Sequence, residues 1–256
     1  MPEGLEAEIY RLHAEVVVGR TIRSVQVDRH QPTSDSLCAE LPGARISAVR
    51  RHGKLVFLDT VDGPTLGLHF GMTGRLVVDG EAAIDRLEYG SGRDDPAWDR
   101  LVVELDPTGS FRVNDPRRLA RFVIDPRVDR LGPDFLRVRC DELATRLGRR
   151  RLALKAALLD QSVVAGFGNL CADEVLWQAG LAPNRPVDQL SAHDVTMLHR
   201  SMTEHLPAML ERGGSHRGAM SPALRAAMPP CPRDGAPLVR SKVGGRTTVW
   251  CPDHQR

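Results

Sequence analysis

Three features that would assign the chain to a specialised class are missing from its 256 residues. The cysteines are few and form no disulfide framework; they are Cys38, Cys140, Cys171, Cys231 and Cys251. No apolar run reaches the length of a membrane span, and the acidic N-terminus is the opposite of a signal peptide's basic one. These absences predict a soluble protein of a reducing, cytoplasmic compartment, with no membrane partner.

A strong net charge is also missing, since the formal value is only +2 and by itself predicts no polyanionic partner. The basic residues are nevertheless clustered. The clusters are Arg45, Arg50, Arg51 and Lys54; Arg117, Arg118 and Arg121; Arg146, Arg149, Arg150, Arg151 and Lys155; and Arg233, Arg240, Lys242, Arg246 and Arg256. One such cluster is usually a solvated surface. Four such clusters in a nearly neutral chain indicate that the positive side chains lie together on one face of the protein, as nucleic-acid binding requires.

The first residues, MPEGLE, have two interpretations. Proline suits the first helical position, and Glu3 and Glu6 would face the positive end of the helix dipole, so the spacing of apolar residues predicts a helix from about Pro2 to Val18. Alternatively, a free N-terminal proline is a secondary amine that can form an iminium with a sugar aldehyde carbon, and the adjacent carboxylate can move protons. The first residues alone do not decide between the two interpretations.

Short β-branched runs follow the first helix and are separated by Gly, Pro and Asp. They lie at 21–28, 44–51, 54–60, 65–70, 74–79, 100–106, 110–115 and 120–125. Eight such strands with no helices between them predict an antiparallel sandwich or barrel. After a linker at 131–136 the pattern becomes helical, with Asn169 as the N-cap of a helix to about Ala179 and a longer helix that ends at Gly213.

The last segment, from Pro229 onward, is too short for a core of its own. CPRD and CPDH place Cys231, Asp234, Cys251 and His254 in two pairs, each with a two-residue spacer that lets both side chains converge on a tetrahedral zinc. The alternative is an ordinary Asp-Gly turn at Asp234 and a frayed tail at His254. We favour zinc, because so short a segment needs a cross-link to be ordered.

Two glycine-containing motifs are ambiguous by themselves. VVAGFGN at 163–169 precedes a helix, where backbone amides can bind a phosphate, although close packing of two helices explains the glycines equally well. In HFGMTG, at 69–74, Met72 is more simply interpreted as a core residue, and His69 as a hydrogen-bonded histidine on a strand.

Taken in order, these motifs resemble the formamidopyrimidine-DNA glycosylase and endonuclease VIII family. The resemblance rests on MPEG, RRHGK at 50–54, LHFGMTG at 68–74, NDPRR at 114–118, LGPDFL at 131–136, LLDQSVVAGFGN with CADE at 158–174, and GGRTTVWC with the final ligands. It implies an α+β multidomain chain that acts as a monomer on damaged double-stranded DNA bound between domains. The expected parts are an N-terminal helix with an antiparallel β-sandwich at 1–130, a helix–two-turns–helix domain at 131–228, and a zinc-finger hairpin at 229–256.

The resemblance also implies roles for individual residues in a bifunctional DNA glycosylase and abasic-site lyase of base excision repair. Pro2, once Met1 is removed, would be the nucleophile, Glu3 the acid/base carboxylate, Lys54 the proton donor for β-elimination, and Arg246 the donor for δ-elimination. The implied DNA contacts are His69, Lys155, Asn169 and Arg150 to the backbone, Met72 in the hole left by the extruded base, and Arg118 with the wedge Leu119 at the orphaned base. Zinc would be purely structural.

The chain departs from the family pattern at several positions. Asp234 and His254 replace finger cysteines, Leu119 replaces an aromatic wedge, Trp98 stands where a histidine is common, and the loop from Gly214 to Cys231 is short. The short loop predicts that activity on 8-oxoguanine is poor compared with activity on abasic sites and on smaller lesions. Two rival classes are a catalytically silent lesion-binding protein, which the presence of Pro2, Glu3 and Lys54 disfavours, and an RNA-binding zinc-ribbon protein, which the order of the segments disfavours.

Overall fold

The computed structural model describes residues 2–88, 90, 92–148 and 150–256. Met1, and Arg149 of one basic cluster, lie outside the described residues. The chain divides into two compact units, one of Pro2 with Glu6–Asp129 and the other of Glu3–Leu5 with Arg130–Arg256. In the described part of the chain, every helix is too short or too polar to cross a membrane.

Helix α1 covers Gly4–Ala14 and continues as a 3-10 turn at Glu15–Val17. It therefore starts later than the expected Pro2. The reason is tertiary, because the Gly4 amide donates to the Gly166 carbonyl at 2.9 Å and a Cβ at Gly4 would lie 2.5 Å from the Phe135 ring. Only a glycine permits this close approach.

The first unit contains two antiparallel sheets, as expected for a sandwich. One has the order β1-β7-β8-β5-β6 and the other β2-β3-β4-β9. The strands are β1 Thr21–Val27, β2 Ile46–His52, β3 Leu55–Thr60, β4 Leu66–His69, β5 Arg75–Val78, β6 Glu81–Ala82, β7 Asp99–Asp106, β8 Ser110–Asn114 and β9 Arg121–Ile124. All eight predicted strands are present, and the short β6 is additional. Their inward side chains form one apolar core that includes Ile22, Phe111 and Phe122.

The expectation that no helix interrupts the strands is wrong. Helix α2, Ser34–Glu40, lies between β1 and β2. Its Leu37, together with Leu41 four residues later, is fully buried in the core of the sheets. That i, i+4 spacing was the available signal, but two apolar positions are too few to reveal a two-turn helix in a strand-rich region.

The second unit is mainly helical. Its helices are α3 Cys140–Leu147, α4 Leu154–Leu159, α5 Asn169–Ala179, α6 Ala192–Glu211 and α7 Pro222–Ala227. Asn169 is not the N-cap of α5, as the sequence suggested; the cap is Gly168, and Asn169 is the first helical residue. Helix α6 begins with a capping box between Ser191 and Asp194.

The chain ends in an antiparallel hairpin of β10, Val239–Val243, and β11, Arg246–Trp250. Gly244 and Gly245 form its turn with φ values of +58° and +73°, which suit the two-residue turns that match strand twist. A small apolar cluster, which includes Trp177, Met220 and Val249, supports the hairpin.

Candidate functional site

Glu3, a candidate catalytic residue, is anchored by three backbone amides. Its buried carboxylate accepts hydrogen bonds from the amides of Gly168 at 3.0 Å, Leu170 at 2.8 Å and Cys171 at 3.0 Å. These amides belong to the start of α5, where the backbone donors and the helix dipole complement a negative charge. A Cβ at Gly168 would lie 2.3 Å from the Glu3 carboxyl carbon, so the motif VVAGFGN brings the backbone onto this carboxylate.

Pro2 and Lys54 belong to the first unit. Pro2 is buried and precedes α1, outside the helix. Lys54 is half-buried and shares a two-residue turn with Gly53, which has φ +59°, between β2 and β3. A short hairpin turn fixes the start of this long side chain.

The four predicted metal ligands converge. The donor atoms of Cys231, Asp234, Cys251 and His254 all lie within 4.8 Å of one another. His254 Nδ1 is 2.7 Å from Asp234 Oδ2, and Cys251 Sγ is 3.3 Å from the same oxygen. Two sulfurs, a nitrogen and a carboxylate oxygen at these separations fit a four-coordinate metal.

A further contact orients the histidine of this group. His254 Nε2 lies 3.3 Å from the Trp177 carbonyl oxygen, so the ring donates its Nε2 hydrogen there and turns Nδ1 toward the other three ligands. Metal-ligating histidines commonly use the second ring nitrogen in this way. The residues therefore form a group that can hold a metal ion.

Arg246 follows the Gly244-Gly245 turn directly and is exposed. The next residue, Thr247, fixes the position of strand β11, which carries Arg246. The Thr247 carbonyl accepts hydrogen bonds from Arg225 at 2.8 Å, from the Asn169 side-chain amide at 3.0 Å, and from Lys155 at 3.4 Å. Three donors on one carbonyl fix the backbone beside Arg246.

Lys155 lies at the centre of a buried ionic cluster. Its Nζ is 2.6 Å from Asp173 Oδ1 and donates to the Thr248 hydroxyl at 2.8 Å, and its side chain is 0% exposed. Arg225 also pairs with the Asp173 carboxylate. Burial lowers the pKa of Lys155, and the charge of Asp173 opposes that effect. We call Lys155, Asp173 and Arg225 the buried triad. The phosphate contact expected of Lys155 stays a prediction.

His69 lies at the end of β4, where its Nδ1 accepts a hydrogen bond from the Gly71 amide at 3.2 Å. The hydrogen of a neutral ring is then on Nε2, ready to be donated. Burial lowers the pKa of His69, and the charges of Lys54 and Arg121 lower it further. These features fit a neutral donor to an anion.

The candidate wedge residues are on two loops that contact each other. A Cβ at Gly71, which has φ +59°, would lie 2.5 Å from the Leu119 backbone, and Met72 beside it is half-buried and outside the core cluster. The buried Asp115 carboxylate accepts from the Thr73 hydroxyl, from the Leu119 amide at 2.6 Å and from the Ala120 amide at 2.7 Å. One carboxylate thus organises both loops.

Two candidate DNA contacts are exposed arginines. Arg118, which has φ +54°, directly precedes Leu119, and its Nε is 3.1 Å from Asp28 Oδ2. Arg150 is exposed in the segment before α4. Sequence reasoning missed Asp28, Asp115, Asp173 and Arg225. Asp115 stands within the NDPRR motif and Asp173 within CADE, which was the only signal available for them.

Two family models match the chain. The formamidopyrimidine-DNA glycosylase N-terminal domain matches residues 1–122, and the formamidopyrimidine-DNA glycosylase H2TH domain matches residues 131–220. Curated relatives named formamidopyrimidine-DNA glycosylase include those of Stenotrophomonas maltophilia, at 32% identity, and Cereibacter sphaeroides, at 33%. Each match covers 100% of both chains.

Solved structures of DNA complexes are also similar. Fpg of Lactococcus lactis bound to DNA with an abasic site superimposes with a TM-score of 0.81 at 27% identity, over 99% of both chains. MutM bound to DNA with carbocyclic 8-oxo-G gives the same score and identity over 100% of both chains.

Proposed function

Because this chain belongs to the formamidopyrimidine-DNA glycosylase family, we propose that it is a bifunctional DNA glycosylase and abasic-site lyase of base excision repair. The observation that carries the proposal is the anchoring of Glu3 by three amides at the start of α5, immediately after an N-terminal proline. A buried carboxylate beside a secondary amine is suited to proton transfer during attack on a sugar carbon.

In the proposed reaction, the Pro2 nitrogen attacks C1′ of a damaged nucleotide after removal of Met1. The C1′–base bond breaks, and Glu3 moves the proton that the departing base and the opened sugar require. The resulting iminium acidifies the C2′ proton, whose loss expels the 3′ phosphate by β-elimination. Lys54 donates a proton to the departing 3′ phosphate in β-elimination, and Arg246 donates one to the 5′ phosphate that departs in δ-elimination. Water then hydrolyses the iminium, so the sugar remnant leaves Pro2 and the nitrogen is free again.

DNA binding in this proposal relies mainly on the phosphate backbone. His69, as a neutral Nε2 donor, together with Arg150, Asn169, Lys155 and Arg246, would hold the backbone around the flipped nucleotide. Met72 and Leu119 would fill the space that it leaves, and Arg118 would bond the orphaned base. Such binding is sequence-independent and falls steeply with salt.

We propose zinc as the ion for Cys231, Asp234, Cys251 and His254, because two thiolates with an imidazole and a carboxylate are borderline-soft donors in a closed set. The ion would order the hairpin that presents Arg246. Cys231, Asp234, Cys251 and His254 would take all four positions of a tetrahedral ion, which would then have a structural role.

Poor activity on 8-oxoguanine is part of the proposal. The short segment between α6 and β10 is already engaged with its own unit, because Arg225 binds Asp173 and the Met220 amide donates to Glu174 Oε2 at 2.7 Å. Few of its groups remain to enclose a large flipped purine, whose recognition needs several hydrogen bonds.

The test compares two reactions on labelled duplexes under single-turnover conditions. Glu3→Gln should slow base excision by about 100-fold or more, the range of general acid–base catalysis, while Pro2→Gly should slow both excision and nicking. Glu211→Gln, an exposed carboxylate at the end of α6, is the matched control. Binding of abasic DNA without any nicking by the parent chain would instead favour the silent lesion-binding alternative.

A further inference from the structure

Arg225, on the short helix α7, links helix α5 to strand β11. Its Nη1 pairs with the Asp173 carboxylate on α5, and its Nη2 donates to the Thr247 carbonyl on β11 at 2.8 Å. The side chain of Arg225 is 11% exposed and that of Asp173 is 1% exposed. A guanidinium has its donors in one rigid plane, so it holds these two acceptors in a single geometry.

Asp173 makes a second contact with the same strand. Its Oδ2 accepts a long hydrogen bond, 3.4 Å, from the Val249 amide, two residues after Thr247. Arg240, on the neighbouring strand β10, donates to the Arg225 carbonyl. Both strands of the hairpin are therefore bonded to this ion pair, which fixes the position of β11 relative to α5.

The position of Arg246 depends on this strand. Among the described residues, none bonds or pairs with the Arg246 guanidinium, and two glycines, Gly244 and Gly245, directly precede it. Its backbone is held from the other side, where the Thr247 carbonyl is bonded and the Arg246 carbonyl accepts from the Thr248 hydroxyl at 3.2 Å. A shift of Thr247 would consequently displace the guanidinium as well.

The other two donors to the Thr247 carbonyl, Lys155 and Asn169, are assigned to the DNA backbone in the proposed function. The ammonium of Lys155 has three hydrogens, and they already have three acceptors. These are the Asp173 carboxylate at 2.6 Å, the Thr248 hydroxyl at 2.8 Å and the Thr247 carbonyl at 3.4 Å. A phosphate would replace the longest of these bonds, the one to Thr247. Arg225 has no second task in the proposed function, so it stays on that carbonyl when DNA binds.

We infer that Arg225 is a positioning residue for Arg246 and thereby sets how much of the reaction proceeds from β- to δ-elimination. The inference rests on the proposed function, in which Arg246 donates the proton of the second elimination. The first elimination removes the C2′ proton and breaks the C3′–O bond, which leaves the unsaturated sugar on the upstream fragment. The second removes the C4′ proton and breaks the C5′–O bond, which leaves a 3′ phosphate there. Only the second step needs the guanidinium of Arg246.

The experiment follows a duplex with one abasic site, labelled at the 5′ end of the cut strand, under single-turnover conditions. Denaturing electrophoresis separates the upstream fragment that carries the sugar from the fragment that carries a 3′ phosphate. Arg225→Met keeps most of the side-chain length and removes both bonds. It should slow δ-elimination by about 10- to 100-fold, because a displacement of about 1 Å can slow a positioned reaction by about 100-fold. β-Elimination should stay within about threefold of the parent rate.

The ratio of the two products separates positioning from stability. Unfolded chains make neither product, so a loss of stability lowers both yields and leaves the ratio unchanged. Arg225→Lys keeps the charge on a single nitrogen, and its ratio should lie between those of the parent and Arg225→Met. Adding Arg225→Met to Arg246→Gln should lower the δ product no further, because both substitutions act on one step.

Arg185→Met is the matched control. Arg185 belongs to the same unit and has the same kinds of partners, the Asp194 carboxylate at 2.8 Å and the carbonyls of Gln189 at 3.0 Å and Arg256 at 3.2 Å. None of these partners is on β10 or β11. Arg185→Met should therefore keep the parent ratio of products.

Three results would overturn the inference. They are a parent-like ratio in folded Arg225→Met, an equal slowing of both eliminations in that variant, and a parent chain that forms no δ product. If Arg225→Met does not fold, a parent-like ratio in Arg225→Lys overturns the inference instead. If the parent chain neither nicks nor forms a covalent adduct with abasic DNA, the proposed function fails as well, so the two failures are distinguishable.

Discussion

Replacing Lys155 by methionine tests whether this lysine supports the fold or contacts DNA. The change keeps most of the side-chain volume and removes the charge 2.6 Å from Asp173. Asp173 then keeps Arg225 and a long contact, 3.4 Å, with the Val249 amide. Removing one partner of a buried ion pair lowers the free energy of unfolding by about 3–5 kcal/mol. Because Arg225 still pairs with Asp173, we expect a loss near the lower end of that range.

That cost predicts a measurable loss of stability. About 3 kcal/mol corresponds to a fall in melting temperature of about 6–12 °C for a unit of this size. Urea unfolding can be followed by the fluorescence of Trp177 and Trp250, which both belong to the second unit. Lys242→Met, on the exposed face of β10, is the matched control and should be within about 0.5 kcal/mol of the parent.

The same variant gives a second readout on DNA. A lysine that binds phosphate directly contributes about one unit to the slope of log affinity against log salt. If Lys155→Met keeps the stability of the parent but lowers that slope by one, Lys155 is a direct phosphate ligand and the structural role is wrong. A loss of stability with an unchanged slope in the folded variant would show that Lys155 supports the fold and that the phosphate contact proposed for it is wrong.

Three further outcomes are expected. Metal analysis should find about one zinc per chain, and Cys251→Ser should lose it and weaken DNA binding, whereas Cys38→Ser, at an exposed site, should not. The lowered pKa of His69 means that the unfolded chain binds its proton more readily, so stability should fall as pH drops through about 6.5, and His69→Gln should flatten that dependence. Excision of 8-oxoguanine opposite cytosine should be slower than nicking of an abasic site; equal rates would show that the short capping segment is not limiting.

The two-sheet organisation was predictable because every long strand has its own β-branched run between turn residues. Helix α2 was not, since its two buried leucines, Leu37 and Leu41, make too short a periodic pattern. The start of α1 was misplaced because the Gly4–Gly166 bond that delays it is a tertiary contact between residues far apart in sequence. The convergence of the four metal ligands, by contrast, follows from two local turns joined by one hairpin, and such local geometry can be predicted.

The groups that position the candidate site were harder to predict than the site itself. Asp28 lies in a segment with no distinguishing pattern, and its partners Arg100 and Arg118 are 72 and 90 residues away. Asp173 lies within the CADE motif, but the motif does not show that its partner is Arg225, 52 residues away. Pairing over such distances is decided by the packing of the sheets and helices. The sequence shows which residue types are available, but the fold determines which of them contact one another.

The role of Pro2 as nucleophile can be tested by identifying the atom that attacks DNA. Borohydride reduction during reaction with an abasic duplex should fix the iminium as a stable amine, and peptide mass analysis should find the sugar remnant on the N-terminal peptide, at Pro2 with Met1 absent. A chain with an uncleaved N-terminal extension should form no adduct, because its proline nitrogen is an amide. A remnant on Lys54 or any other lysine, or normal trapping by the extended chain, would contradict the central claim.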